Sequence, residues 1–307
     1  MIATLPDRLP DRVVESPLPS RAREPDTAGF VERDDGVRVY YEVHGDSPDV
    51  VCLLPPWPLF SMRSWRGQVH YLARHFRVVA FDPRGQGRSD RPRHPGAYSR
   101  AAHVGDAIAV LDATGTERAM LASTSPRGAL ALALCVEHPD RVRASAFITP
   151  QLWIEEGFAR PFVSGRQEGY EEMEKLNRHY WREDFRGFVE WFARWTATRP
   201  HSTRLVEESV TQGLATDAET LIAATIGFEM YDREEALRLA RQVRCPVLVT
   251  QNGGEAKYPK HTSGPLAEAT GGRLHVFEGL GPNVGGRWPV AMNIVLREFF
   301  ESVRAHG

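Results

Sequence analysis

The sequence predicts an α/β protein with a mostly parallel central sheet, and three features of the 307-residue chain support this. Short apolar runs such as 49–55 are typical of strands buried on both faces of a parallel sheet. Segments with helical spacing, such as 102–115, alternate with these runs. A long stretch, 151–243, has helical patterns and no strand pattern. We therefore expect helices on both faces of the sheet and a helical insertion between two of its strands.

The strand candidates follow one another through the predicted core. The first, 36–45, alternates polar and apolar residues, which predicts a half-buried strand. Continuous apolar runs at 49–55 and 76–82 predict central strands. The further strand candidates are 118–124, 144–150, 245–251 and 272–279.

The helix candidates of the core lie between and after these strands. Residues 102–115 have helical spacing and end at a glycine, and 290–303 form an amphipathic pattern. The other two candidates are 126–138 and 263–271.

These elements divide the chain into three parts. Residues 1–28, with several prolines and mixed charges, are predicted to form a flexible N-terminal arm. Residues 29–150 and 244–307 form the predicted core, and residues 151–243 form the predicted helical cap, which is rich in Trp, Tyr and Phe.

Composition excludes several classes of function. A net charge of −2 and a pI near 6.6 predict no nucleic-acid partner and no anionic membrane partner. The chain has no secretory signal pattern and no apolar run long enough to span a membrane, so we expect a cytoplasmic protein. The three cysteines stand in apolar contexts and are predicted to be reduced thiols. No metal-binding spacing such as CxxC or HExxH occurs, so we expect no metal and no cofactor.

One stretch is more specific than the general pattern. Residues 81–92 read FDPRGQGRSDRP, a Gly- and Asp-rich turn directly after the 76–82 strand. With this turn, the order of strands and cap, and a late strand that begins at Pro246, the chain resembles the capped α/β-hydrolase superfamily from about Val31 onward. The resemblance implies the α/β-hydrolase fold: a mostly parallel central sheet flanked by helices, with an inserted helical cap. It also implies positions for a nucleophile, an acid and a histidine base.

The resemblance places Ser125 at the nucleophile position. Members of the family carry a Gly-x-Ser-x-Gly turn between a strand and a helix; residues 123–127 of this chain read STSPR. Arg127 replaces the second glycine, while Gly128 and Ala129 keep close helix packing plausible. The alternative is that Ser125 merely caps the helix, as serine often does.

The two donors of an oxyanion hole are altered as well. In the family, one donor is the N–H of the residue after the nucleophile, which here is Pro126 and has no N–H. The other comes from the loop after an earlier strand, where Pro55 and Pro56 replace the usual His-Gly pair. Trp57 in this loop keeps its N–H and could still donate. We favour the interpretation of the stretch as a rigid loop with an aromatic wall, and we expect Trp57 to line the pocket.

The acid and base positions complete a degenerate triad. In NGGEAKYP, residues 252–259, Glu255 occupies the acid position and Lys257 could pair with it; an exposed loop charge is the alternative. In GLGPNVGGRWP, residues 279–289, Pro282 stands where the family has its histidine. Asn283 is adjacent but cannot take a proton at neutral pH.

A serine without a base is a weak nucleophile, so these changes disfavour triad-type ester hydrolysis. We expect an enzyme of the cyclase or lyase type that acts on a small apolar molecule by positioning it. Such an enzyme would belong to secondary metabolism. The alternatives are a non-catalytic ligand-binding pseudoenzyme and a serine esterase with a relocated base. The candidate replacements for that base are His103, His179, His201 and His261.

The residues that we expect at the site fall into two groups. Ser125 and Glu255 occupy catalytic positions. The substrate is expected to contact Trp57, Thr124, Pro126, Arg127, Trp153, Lys257, Pro282 and Asn283. The sequence leaves open whether the protein is a monomer or a homodimer.

Overall fold

The structure is a computed structural model that describes residues 24–153, 165–197, 201–253, 262–279 and 283–304. Most of the predicted N-terminal arm lies outside these ranges, and the first strand begins at Thr27, two residues inside the predicted arm. No helix in the described part of the chain is both long and apolar enough to cross a membrane.

The core is an eight-stranded, mostly parallel sheet, which confirms the predicted fold class. The spatial strand order is β1-β2-β4-β3-β5-β6-β7-β8. The β1–β2 and β2–β4 pairs are antiparallel, and all later neighbours are parallel. The strands are β1 (Thr27–Glu32), β2 (Arg38–His44), β3 (Val50–Leu53), β4 (Arg77–Phe81), β5 (Ala119–Thr124), β6 (Val142–Ile148), β7 (Val247–Asn252) and β8 (Arg273–Phe277).

Helices cover both faces of this sheet. In the described part of the chain they are α1 (Arg66–Leu72), α2 (Arg100–Ala113), α3 (Gly128–Glu137), α4 (Arg178–Glu183), α5 (Phe185–Thr196), α6 (Thr203–Gly213), α7 (Ala218–Gly227), α8 (Arg233–Ala240), α9 (Ser263–Thr270), α10 (Val284–Arg287) and α11 (Pro289–Arg304). Helices α2, α3, α8 and α9 pack on one face, and α1 and α11 pack on the other. Side chains of a strand alternate between faces, so Leu121 of β5 joins the first layer and Met120 joins the second.

The helices between β6 and β7 do not all belong to one layer. Helices α4, α5, α6 and α7 surround an aromatic cluster of their own, which includes Trp181 and Phe188. Helix α8 instead packs on the core through Ala236 and Ala240. The predicted cap, 151–243, therefore includes one helix that belongs structurally to the core. We use "helical segment" for α4–α7.

The turn after β4 is held by the carboxylate of Asp82. One oxygen accepts a hydrogen bond from the Met62 N–H and the other from the Arg88 N–H, each at 2.9 Å. Gly87 has a φ of +61°, and a Cβ added there would lie 2.1 Å from an Asp82 oxygen. This close approach explains why the turn contains glycine at this position.

Gly87→Ala is expected to lower the free energy of unfolding by about 2–4 kcal/mol, because left-handed strain and overpacking act together. Gly36→Ala is the matched control: Gly36 has a φ of +79°, but nothing lies within 4 Å of an added Cβ. We expect about 1 kcal/mol for the control. Urea unfolding of both variants measures the difference, and equal losses would refute the steric explanation.

Candidate active site

The candidate site lies at the carboxyl edge of the parallel strands. Strand β5 pairs with β3 on one side and with β6 on the other, and β6 pairs with β7. The segments that follow these four strands therefore lie side by side, which is where open α/β sheets bind ligands. Three of them carry Trp57, Ser125 and Thr149.

Ser125 stands at a sharp elbow between β5 and α3. Its φ is +52°, a left-handed conformation that costs a non-glycine residue about 1–3 kcal/mol. A short 3₁₀ turn, Ser125–Arg127, leads from the strand into α3. The Ser125 carbonyl accepts a hydrogen bond from the Gln151 N–H at 2.9 Å. In the described part of the chain its hydroxyl has no hydrogen-bonding partner, so Ser125 does not cap the helix.

Gly128 allows α3 to pack closely against the segment that follows β6. A Cβ at this position would lie 3.1 Å from the Cβ of Pro150 and 3.2 Å from a methyl carbon of Leu152. Ala129 is fully buried beside it. Helix α3 can therefore approach the segment after β6 even though Arg127 occupies the glycine position.

Thr149 was missed by the sequence reasoning. It follows β6 with a φ of +44°, and its N–H donates to the Thr250 carbonyl at 3.1 Å. Its hydroxyl donates to the Asn252 side-chain oxygen at 3.3 Å. The available signal was its place at the end of a predicted buried strand, 144–150, where no motif singled it out.

The loop after β3 contacts the helical segment through the side chain of Trp57. The centre of the Trp57 ring system lies 5.5 Å from that of Phe192 and 6.1 Å from that of Trp181. The Trp57 carbonyl accepts from the Phe60 N–H at 2.8 Å, which closes the loop as a turn. Its own backbone N–H donates to no atom in the described residues. Among the described residues, Trp57 therefore offers an unused backbone donor, while its contact with a substrate stays a prediction.

Arg127 is buried beneath this loop, with 1% of its surface exposed. Its Nε donates to the Pro56 carbonyl at 3.3 Å, and its guanidinium carbon lies 4.2 Å from the centre of the Phe228 ring. Burial lowers the pKa of Arg127 to about 9, and the charge of Asp106 opposes this shift in part. The side chain has little surface for the substrate contact that we expected from the sequence.

None of the described candidate histidines is hydrogen-bonded to Ser125. His103 is buried in α2, with its ring centre 6.3 Å from that of Tyr98 and 5.5 Å from that of Phe228. Burial lowers the pKa of His103 well below its ordinary value, and the charges of Arg127 and Arg84 add to this shift. His179 lies in α4, and His201 is exposed with a φ of +63°. His261 lies outside the described residues.

The other predicted site residues differ in how the structure places them. Thr124 and Pro126 are half-buried on either side of Ser125. Trp153 is 5% exposed and packs in the core layer that contains α3, so its contact with substrate stays a prediction. The Asn283 side-chain oxygen accepts from the Gly286 N–H at 3.2 Å and so caps α10. Glu255, Lys257 and Pro282 lie outside the described residues.

Comparison with known proteins agrees with this architecture. A family model described as alpha/beta hydrolase fold matches residues 49–263, and the chain therefore belongs to the α/β-hydrolase fold family. An esterase from Rhodococcus sp. ECU1013 superposes with a TM-score of 0.75 at 20% identity, over 90% of this chain and 99% of that one. At this identity the likeness shows the fold alone.

Curated relatives match over shorter stretches. Epoxide hydrolase 3 from Siraitia grosvenorii is 33% identical over 132 residues, which cover 43% of this chain and 41% of the relative. The 2-hydroxymuconate semialdehyde hydrolase of Pseudomonas sp. (strain CF600) is 40% identical over 101 residues, which cover 33% of this chain and 32% of the relative. The match thus spans less than half the length of either relative.

Proposed function

We propose that the protein is an enzyme that binds a small, largely apolar molecule carrying a carbonyl group between its core and the helical segment, which acts as a cap. The observation that carries this proposal is the position of the Ser125 hydroxyl and its lack of a hydrogen-bonding partner among the described residues. The hydroxyl stands at the elbow, on a backbone held in a left-handed conformation. The unused Trp57 N–H on the neighbouring loop supports the proposal.

We further propose that the reaction is not hydrolytic. Pro126 supplies no N–H, and the family resemblance places Pro282 at the histidine position, so in this proposal Ser125 lacks one oxyanion donor and the family's base. In this proposal the Ser125 hydroxyl and the Trp57 N–H donate hydrogen bonds to the substrate carbonyl and polarise it. Aromatic residues such as Trp57 and Phe192 hold a flexible substrate in a reactive shape. Positioning of this kind lowers barriers by about 7–11 kcal/mol in favourable cases. Cyclisation, rearrangement and elimination fit these requirements.

Hydrolysis at Ser125 is the second candidate. Two observations favour it: the strained elbow is kept, and the curated relatives are named as hydrolases. It requires a base from residues that the structure does not describe, such as His261. A serine reacts readily with a covalent probe when a base lies within hydrogen-bond reach of its oxygen. Labelling of Ser125 by such a probe therefore distinguishes the hydrolytic candidate from the non-hydrolytic one.

We expect no covalent labelling of Ser125 by a fluorophosphonate probe, because in the non-hydrolytic proposal no base activates its hydroxyl. The protein and its Ser125→Ala variant should then hydrolyse p-nitrophenyl butyrate at the same background rate. Mass spectrometry of the probe-treated protein checks for an adduct. A phosphonate on Ser125 that is absent from the variant would establish the hydrolase and overturn the non-hydrolytic proposal.

Binding is tested with a matched pair of ligands. 2-Acetylnaphthalene carries a carbonyl, whereas 2-isopropenylnaphthalene replaces its oxygen with a methylene group of similar size. We expect the ketone to bind about two- to tenfold more tightly, since a hydrogen bond contributes about 0.5–1.5 kcal/mol net. Tryptophan fluorescence titration measures both affinities. Equal affinities would refute carbonyl recognition, and no binding of either ligand would refute the apolar pocket.

A further inference from the structure

Arg127 combines full burial with few polar contacts. Its Nε donates to the Pro56 carbonyl at 3.3 Å, whereas its two terminal nitrogens, Nη1 and Nη2, are buried without hydrogen-bonding partners among the described residues. The guanidinium lies over the Phe228 ring, whose face attracts cations. An arginine at this position therefore needs an explanation beyond ordinary packing.

Stability does not supply that explanation. A buried charge without a paired anion is costly, and burial accordingly lowers the pKa of Arg127. Asp106 is the carboxylate whose charge acts on Arg127, but both of its oxygens are already bound by Arg84 at 2.6 and 2.7 Å. The hydrogen bond to Pro56 is thus the one specific polar contact that the described residues give Arg127.

That contact fixes the orientation of a particular peptide unit. The Pro56 carbonyl and the Trp57 N–H belong to the same planar peptide, and the described part of the chain has no cis peptide bond. In a trans peptide the C=O and the N–H point in opposite directions. A carbonyl held toward the buried guanidinium therefore turns the Trp57 N–H away from Arg127. This N–H is the donor that the described residues leave unused.

We propose that Arg127 is a positioning residue that orients the Trp57 N–H as a hydrogen-bond donor toward the carbonyl oxygen of a bound substrate. The identity of the ligand as a carbonyl compound rests on the proposed function. The orientation of the Pro56–Trp57 peptide by Arg127 does not depend on it. Pro126 makes this role more important, because the loss of its N–H leaves Trp57 to supply the backbone hydrogen bond. A glycine at position 127, as in the family pattern, has no side chain to make this contact.

The orientation is tested directly by crystal structures of the wild type and of the variants Arg127→Met and Arg127→Lys. Methionine fills similar space without a donor, so we expect the Pro56 carbonyl to turn away from its wild-type direction. Lysine can still donate to the carbonyl and should keep it in place. Arg127→Met should fold, because it removes a buried, poorly paired charge; Arg127→Leu replaces it if methionine packs badly. A Pro56 carbonyl that keeps its direction in the Met or Leu variant would overturn the proposal.

Ligand affinity provides the second readout. The preference for 2-acetylnaphthalene over 2-isopropenylnaphthalene should fall in Arg127→Met to the part that the Ser125 hydroxyl supplies. Arg127→Lys should keep the wild-type preference, and the affinity for the hydrocarbon should stay unchanged in both variants. Arg93→Met, which alters an arginine with 68% of its side chain exposed, is the control and should keep the wild-type preference. An unchanged preference in Arg127→Met would contradict the proposed role. If the wild type shows no preference, the proposed function fails, while the crystallographic test of the peptide still decides the role of Arg127.

Discussion

Arg84→Met is expected to lower the free energy of unfolding by about 3–5 kcal/mol, the usual cost of breaking a buried ion pair from one side. Arg84 and Asp106 are each 1% exposed in their side chains and form two parallel hydrogen bonds of 2.6 and 2.7 Å. Arg84 also donates to Asp35 and to the Ala97 carbonyl. Removing the guanidinium leaves the Asp106 carboxylate buried, with Arg33 at 3.4 Å as its remaining ion-pair partner among the described residues.

The chain offers a matched control for this effect. Arg182 and Glu219 form the same two-pronged pair, with distances of 2.7 and 3.1 Å, but both side chains are more than 40% exposed. Arg182→Met should therefore cost about 1 kcal/mol or less. Urea unfolding of the two variants compares the pairs, and the double variant Arg84→Met/Asp106→Leu should regain part of the loss. Similar costs for Arg84→Met and Arg182→Met would show that burial is not the cause.

Arg84 also shows which contacts a sequence can and cannot predict. Its turn, residues 81–92, was identified from local sequence because glycine and aspartate at fixed spacing are required by the backbone itself. Its pairing with Asp106 depends on how α2 lies against that turn, and helical spacing does not reveal this. The strands were easier: β5 was predicted as 118–124 and is observed as Ala119–Thr124, because a buried strand must be apolar along its whole length.

The elements that were missed have weak patterns. Strand β1 is an edge strand with alternating exposed residues, and it follows a charged segment that predicted a flexible arm. Helix α1 has seven residues, too few for helical spacing to be recognised. At the site, Ser125 was found by its motif, whereas the acceptor for Arg127 lies at Pro56, 71 residues away. No local pattern connects two such positions, so the burial of Arg127 became visible only in the structure.

Trp181→Ala is expected to have a comparably large effect, about 3–5 kcal/mol, because it leaves a large cavity in the aromatic cluster of the helical segment. Trp181 is 1% exposed, its ring lies 4.5 Å from that of Phe188, and its indole N–H donates to the Lys175 carbonyl at 2.9 Å. Trp288, which is 45% exposed, provides the matched control, and Trp288→Ala should change stability by about 0.5 kcal/mol or less. Equal losses in the two variants would contradict a packed aromatic cluster.

The way in which Trp181→Ala unfolds tests whether the helical segment and the core form one cooperative unit. Trp57 of the core contacts both Trp181 and Phe192, and Ala223 of α7 packs with Tyr98 of the core. These contacts should transmit the loss to the whole molecule, so circular dichroism and tryptophan fluorescence should report one coincident transition, shifted to lower urea. Because Trp181 also supports the Trp57 ring, the variant should bind 2-acetylnaphthalene and 2-isopropenylnaphthalene more weakly by the same factor. Two separate transitions would show instead that the helical segment folds on its own. Unchanged binding of both ligands would show that the aromatic cluster does not form a wall of the site.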